Sequence, residues 1–290
     1  MTDLRSIVMG VAFAAMWGSA FSSARIIVAD APPLTALALR FLCSGLIGVG
    51  IGAWLGQTMR LSRSQWRATV VLGICQNALY LGLTFTAVQT IEASLAAIIA
   101  STMPLLVALG GLLVFGERIS PLGLAGLVTG ILGVAIIMGA RLSGGVDPVG
   151  VGLAVLGVLS LTVATMAVRG AISGGNVIMI VGLQMLVGSA GLAVGAVILE
   201  DWEVTWSLKM VLAFWYTALV PGLAATFVWF WLVNRIGAVR AATFHFLSPF
   251  FGVTIAALLL GERPGLLDLL GVAVVMLGIW AVQVSRRRTA

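Results

Sequence analysis

The side chains able to do chemistry are few, and apolar sequence surrounds them. His245 is the single histidine, and it precedes Ser248 and Pro249 in the stretch Thr243 to Arg263, TFHFLSPFFGVTIAALLLGER. Nucleophilic catalysis needs a nucleophile beside a base, and metal sites need several converging ligands. One histidine, two cysteines (Cys43 and Cys75) in separate apolar runs and no paired carboxylates supply neither. No catalytic residues, metal ligands or disulfide are expected, and the chain is read as not an enzyme. No Gly-rich Lys/Ser motif for ATP is present, so no cofactor is expected and any transport would use a gradient or run downhill.

These residue types suit reversible binding instead. Trp17 neighbours Gly18 and Ser19, and Tyr80 follows Gln76 and Asn77. Amphipathic rings beside amides and hydroxyls fit an apolar ligand with a polar backbone. Ser101 stands three residues before Pro104 and Ser248 one before Pro249; either joins such a cavity or bonds back to its own helix. Each proline removes a helical hydrogen bond, leaving a kink that either serves only the fold or gates a path and offers its freed carbonyl to a ligand. His245 either lines the cavity, as a hydrogen-bond partner or proton carrier, or packs as a neutral ring between helices. Arg40 either binds a carboxylate or snorkels outward along its stem. The candidate binding set is therefore Trp17, Ser19, Gln76, Asn77, Tyr80, Ser101, His245 and Ser248, with Pro104 and Pro249 as hinges.

The elements that must position these residues repeat. Ala97 to Arg118, AIIASTMPLLVALGGLLVFGER, echoes Thr243 to Arg263. Pro104 pairs with Pro249, Gly116 with Gly261, Glu117 with Glu262, Arg118 with Arg263, Gly126 with Gly271 and Gly133 with Gly278, all at an offset of 145 in 290 residues. The chain thus divides into repeats at 1–145 and 146–290, with RLSGGVDP as the hinge between them.

Composition assigns the class. The chain is 61 % hydrophobic and 9 % charged with a mean hydropathy of +1.16, far from soluble proteins at roughly 25 % charged. A membrane span needs about 20 apolar residues. Runs at 5–28, 33–56, 66–88, 92–115, 121–140, 148–171, 176–199, 208–233, 238–260 and 265–285 supply ten. They are too long for barrel strands of roughly 9–11 residues. The first run is longer than a signal-peptide core of about 7–15 residues and is expected to be a retained helix. Pro32-Pro33, Ser120-Pro121, Asp147-Pro148 and Arg263-Pro264 open helices.

A formal charge of +6 does not point to nucleic acid, because the basic residues sit singly between spans or at Arg286 to Arg288. With a cytoplasmic N-terminus, eleven basic residues fall inside and four outside, which predicts that both termini are cytoplasmic. Five helices per repeat then put the second repeat in the membrane upside down. Inverted repeats are a common transporter architecture, with substrate near the midplane. Trp54, Trp66, Trp202, Trp206 and Trp280 suit interfacial belts, and Glu92 is expected to cap span four.

Ten helices in two inverted fives resemble the drug/metabolite transporter superfamily, specifically its EamA-type exporters. The matching residues are AAMWGSAF at 14–21, PLTALALR at 33–40, and the paired P…GER segments at 104–118 and 249–263. The resemblance implies an all-α membrane protein that exports small neutral or aromatic amino acids and related metabolites across a bacterial inner membrane by alternating access. The partners implied are a small-molecule substrate and the lipid bilayer, with one monomer enclosing the path. The alternative is a multidrug or cationic-compound exporter, whose small-multidrug relatives place a glutamate in the first span; between Arg5 and Val28 the only charge here is Arg25.

Overall fold

The computed structural model describes residues 4–117, 119–167, 176–237, 241 and 243–289. Arg118, Arg169 and Arg240, counted above in the charge distribution, lie outside them, as do the side chains of Phe230 and Arg286 to Arg288. All regular structure among the described residues is helical, as lipid demands, since a helix satisfies its own backbone groups. Nine of the described segments are long and apolar enough to cross a membrane, and a further apolar helix, Phe244–Leu260, is shorter. The first residues of the expected span 238–260 lie outside the described ones.

In chain order the helices are α1 (Leu4–Val28), α2 (Pro33–Trp54), α3 (Arg63–Val71), α4 (Leu81–Ala87), α5 (Ala93–Ser101), α6 (Met103–Phe115) and α7 (Pro121–Ser143). They continue with α8 (Pro148–Ala167), α9 (Val177–Leu199), α10 (Leu208–Thr217), α11 (Ala225–Ile236), α12 (Ser248–Leu260) and α13 (Leu266–Thr289). A π-helical segment, Leu72–Tyr80, joins α3 to α4, and a second, Ala218–Ala224, joins α10 to α11. Such wide turns are rare and often mark functional sites.

Three of the four helix starts follow the proline signals, and the last helix begins at Leu266, two residues beyond Pro264. Pro33 opens α2, Ser120 Oγ accepts from Gly123 N at 3.2 Å to start α7, and Asp147 accepts from Val149 N and Gly150 N at 3.1 and 3.0 Å to start α8. Pro104 and Pro249 each stand second in a new helix, because proline has no N–H to continue the preceding one. The chain turns at Thr102 before α6 and runs as a 3-10 helix, Thr243–Leu247, before α12. Gly116 and Gly261 end α6 and α12 with φ of +63° and +70°, a left-handed cap that only glycine adopts without strain.

Cα packing divides the chain into two compact units, each drawing on both halves of the sequence. Unit 1 holds Met1–Ser22, Thr90–Val151 and Ala224–Ala290; unit 2 holds Ser23–Gln89 and Gly152–Leu223. In unit 2, α2 and α9 pack antiparallel: Ser189 Oγ donates to the Ala38 carbonyl at 2.8 Å, Gly45 meets Gly182 and Leu186, and Gly52 meets Met179. The ends interlock. Glu200, after α9, accepts from the Leu34 and Thr35 amides at 2.6 and 2.8 Å, and Gln57, after α2, accepts from Met179 N at 2.9 Å.

In unit 1, α7 and α13 are likewise antiparallel, with Gly123 beside Ser285, Gly130 beside Gly278 and Ile137 beside Gly271. Small residues let backbones approach where lipid offers no hydrophobic drive to associate. Helix α5 runs antiparallel to α12, with Ala97 against Gly252 and the Ala93 and Ser94 amides donating to Glu262 at 2.8 and 3.0 Å. Glu92 stands at the N-cap of α5 as expected, but its side chain makes no cap hydrogen bond. It pairs instead with Arg141 at 2.6 Å, and Glu262 satisfies the first amides of α5.

Candidate functional site

In unit 1 the tryptophan of α1 and the histidine of the 3-10 segment meet. Trp17 lies edge-on to His245 with ring centroids 5.7 Å apart at 88°. Phe13, one turn earlier in α1, is edge-on to the same imidazole at 5.0 Å, and Trp229 from α11 completes the group, 5.1 Å from both Phe13 and His245. Edge-to-face geometry places the positive rim of one ring against the negative face of another. Phe13 is buried, whereas Trp17, Trp229 and His245 are half-buried, so three of the four rings keep a reachable surface. This cluster offers an aromatic wall with one titratable hydrogen-bonding group.

Local sequence explains how α1 reaches the cluster. Gly18 packs on the α12 backbone so closely that a Cβ there would stand 2.9 Å from Gly252 N and 3.0 Å from Phe251 Cβ. The Ser19 hydroxyl donates to the Met16 carbonyl at 2.7 Å and the Ser101 hydroxyl to Ile98 at 2.6 Å. Of the two roles open to Ser101, bonding back to its own helix is the one observed, and Ser19 makes the same kind of bond. Ser248 differs, being buried with an Oγ that has no hydrogen-bond partner among the described residues.

Gln76, Asn77 and Tyr80 fall together on the first π-helical segment, in unit 2. Asn77 is buried and its Nδ2 donates to the Gln184 carbonyl of α9 at 3.0 Å, which ties the segment to its neighbour. The Tyr80 ring is enclosed by protein at 2 % exposure, alongside Gly157 of α8, and its carbonyl accepts from Thr84 Oγ1 at 2.7 Å. Gln76 is half-buried. Arg40 of α2 does not snorkel: it is only 5 % exposed, with its guanidinium carbon 4.9 Å from the Phe41 ring centroid.

At one end of unit 1 a cavity of about 550 Å³ is lined by Thr90, Glu92, Arg141, Asp147, Arg263 and Asp268, among others. Arg141 bridges two carboxylates here, Glu92 at 2.6 Å and Asp268 at 2.9 Å. The Thr90 hydroxyl, and then the Gly150 amide, hold the Asp147 carboxyl below the usual aspartate range.

Sequence reasoning singled out neither Trp229 nor Phe13, and neither Gln184 nor Asp268. The first two gain meaning only from chain crossings that no local pattern records. Asp268 carried a signal, because an acid in the first turn of an apolar helix invites a basic partner. Trp54, Trp66, Trp202, Trp206 and Trp280 are all exposed.

The EamA-like transporter family model matches twice, over residues 4–139 and 148–283. The chain belongs to the EamA-like transporter family. It is 25 % identical over 273 residues to the uncharacterized transporter YvbV of Bacillus subtilis, covering 94 % of this chain and 89 % of that one. Over 113 residues, 39 % of each chain, it is 31 % identical to the aromatic amino acid exporter YddG of Ancylobacter novellus. A solved crystal structure with 20 % identity superposes with a TM-score of 0.68, covering 98 % of this chain and 99 % of that one, and so shares the fold. This EamA-family member is a multi-pass membrane transporter of small molecules.

Proposed function

We propose that this EamA-family transporter exports small neutral or aromatic amino acids and related metabolites across a bacterial inner membrane by alternating access. The observation that carries the reading is the meeting of Phe13, Trp17, Trp229 and His245 beside the interrupted span at Ser248-Pro249. A ring stacked on Trp17 and Trp229 leaves water, and His245 provides a polar contact that orients it. The 31 % identity to an aromatic amino acid exporter over 39 % of the chain agrees with that choice of substrate.

Alternating access suits two five-helix repeats of opposite topology, ten helices in all, with the first near 1–145 and the second near 146–290. The antiparallel packing of α2 with α9 and of α7 with α13 supports this arrangement, because in both pairs the two helices begin about 145 residues apart. So does the recurrence of the π segments at Leu72 and Ala218 and of the interruptions at Thr102 and Leu247. In this reading Pro104 and Pro249 are the bending points, both termini are cytoplasmic, and one monomer suffices for transport. Among the remaining expected contacts, Ser248 beside this cluster offers the substrate a free hydroxyl, while Ser19 and Ser101 bond within their own helix segments.

The test is uptake of labelled Phe, Trp, Thr and a quaternary ammonium dye into proteoliposomes, with empty liposomes as control. Saturable amino-acid flux is the expected result. Flux of the dye alone would replace this reading with that of a cationic-compound exporter.

A further inference from the structure

Arg40 is a charge without a counter-charge. It lies about 10 Å along α2 from Pro33 at 1.5 Å per residue, well inside the apolar run. It is 5 % exposed, its Nε has no hydrogen-bond partner, and no carboxylate pairs with it among the described residues. A buried guanidinium is normally matched by a bidentate carboxylate, because burial removes water that nothing else then replaces. The partly buried Arg141, by contrast, has two carboxylates. The single ring contact to Phe41 is too weak to substitute for a hydrogen-bonded anion.

Small residues pack closely around this charge. Gly222, in the second π segment, lies next to Pro221, and a Cβ built on it would stand 3.4 Å from Arg40 Nη2 and 3.7 Å from Ser44 Oγ. Any side chain at 222 would therefore press toward the guanidinium. Ser44, one turn beyond Arg40, donates to the Ala218 carbonyl at 3.3 Å, so a hydroxyl and the wide turn converge on the same place. The Phe41 ring beside it lowers the local dielectric, which strengthens any ion pair formed.

We propose that the Arg40 guanidinium, with Gly222 and Ser44 beside it in unit 2, is the receptor for the carboxylate of the transported molecule. The proposal rests on the amino-acid reading above and deepens it: Arg40 requires that the transported molecule carry an acid. Amides and amines of the same size are then rejected. A loaded site replaces the missing counter-charge, so binding of a carboxylate stabilises the protein as well as filling it.

The experiment uses the full-length protein in two measurements. The first is thermal unfolding of the purified wild type, Arg40→Gln and Gly222→Val with phenylalanine, phenylacetate and phenylalaninamide. The two carboxylates are expected to raise the wild-type melting temperature and the amide to leave it unchanged. Arg40→Gln removes an unpaired buried charge and is expected to melt no lower than the wild type, with no carboxylate shift. The second measurement is phenylalanine uptake into proteoliposomes, where Arg40→Gln and Gly222→Val are each expected to raise KM at least tenfold, while Arg40→Lys recovers part of the loss.

Equal stabilisation of the wild type by acid and amide would overturn the proposal even if Arg40→Gln failed to fold. Unchanged phenylalanine KM in a folded Arg40→Gln protein would overturn it too, and would leave amino-acid export standing. Conversely, Arg40-dependent stabilisation by phenylacetate without any phenylalanine flux would uphold the carboxylate receptor and overturn the amino-acid reading.

Discussion

Arg141 of α7 grips Asp268 of α13 side-on, Nε donating to Oδ1 at 3.0 Å while Nη2 lies 2.9 Å from Oδ2. The Asp268 side chain is 6 % exposed and that of Arg141 17 %, and Glu92 closes on the same guanidinium. This pins the end of an otherwise apolar helix pair. Replacing Asp268 by Asn leaves Arg141 with one counter-charge, and replacing Arg141 by Met leaves Asp268 with none. Breaking one side of a buried pair costs about 3–5 kcal/mol, whereas replacing both sides with apolar groups costs much less. Thermal unfolding in detergent should therefore rank Arg141→Met well below wild type, with the double variant Arg141→Met/Asp268→Leu recovering most of the loss. A double variant no better than the single would mean that the pair does not act as a unit.

Glu262 is a cap supplied in trans. It accepts from the Ala93 and Ser94 amides, so Glu262→Ala strips two acceptors from the first turn of α5. A lost cap costs about 0.5–2 kcal/mol. Glu262→Gln, which keeps one acceptor oxygen, should fall between wild type and Glu262→Ala in melting temperature. Equal melting of all three would show that water replaces the cap.

Asp147 gives a pH signature. Its carboxyl titrates below the ordinary aspartate value of 3.8 because the Thr90 hydroxyl and the Gly150 and Val149 amides favour the charged form. A depressed folded pKa contributes stability that is fully present above the unfolded value and lost as pH falls through the folded one. The melting difference between wild type and Asp147→Asn should thus be constant above pH 5 and shrink below about pH 4. Thr90→Val should show the same loss above pH 5 in weaker form. A difference independent of pH would assign the effect to packing.

Much of this was legible beforehand, and the residues show why. Long apolar runs and proline signals report local propensity, so the openings of α2, α7 and α8 fell where Pro33, Ser120 and Asp147 said they would. The offset linking Pro104 to Pro249 foretold matching interruptions, and both occur. Long-range partners were not legible. Glu92 was the obvious cap by adjacency, yet the carboxylate that serves Ala93 comes from a residue 169 positions away. The π segments were invisible because a wide turn alters the hydrogen-bond register without altering the apolar pattern. Trp17 was singled out for its sequence neighbours Gly18 and Ser19, whereas across the fold its ring meets His245, and Tyr80 falls in the other compact unit.

Gly278 tests the helix pairing. A Cβ on it would stand 2.5 Å from Gly130 N and 2.6 Å from Gly130 Cα, with only backbone to yield. Gly278→Ala must push α13 from α7, at about 1–3 kcal/mol by analogy with overpacked cores. By contrast, Gly139→Ala, with nothing within 4 Å of its Cβ, should be neutral or slightly stabilising. The two melting temperatures measured side by side decide it, and equal effects would contradict the close approach.

The most direct test of the central claim is the concentration dependence of phenylalanine influx into proteoliposomes for wild type, Trp17→Ala and His245→Asn. Losing one ring of the cluster removes aromatic contact and buried area together, about 1.5–3 kcal/mol, or roughly ten- to a hundredfold in KM. Saturable wild-type flux, a KM raised by that factor in Trp17→Ala, and an altered pH dependence in His245→Asn are predicted. Saturable phenylalanine flux that neither variant changes would contradict the account, because the substrate would then cross without meeting the aromatic cluster.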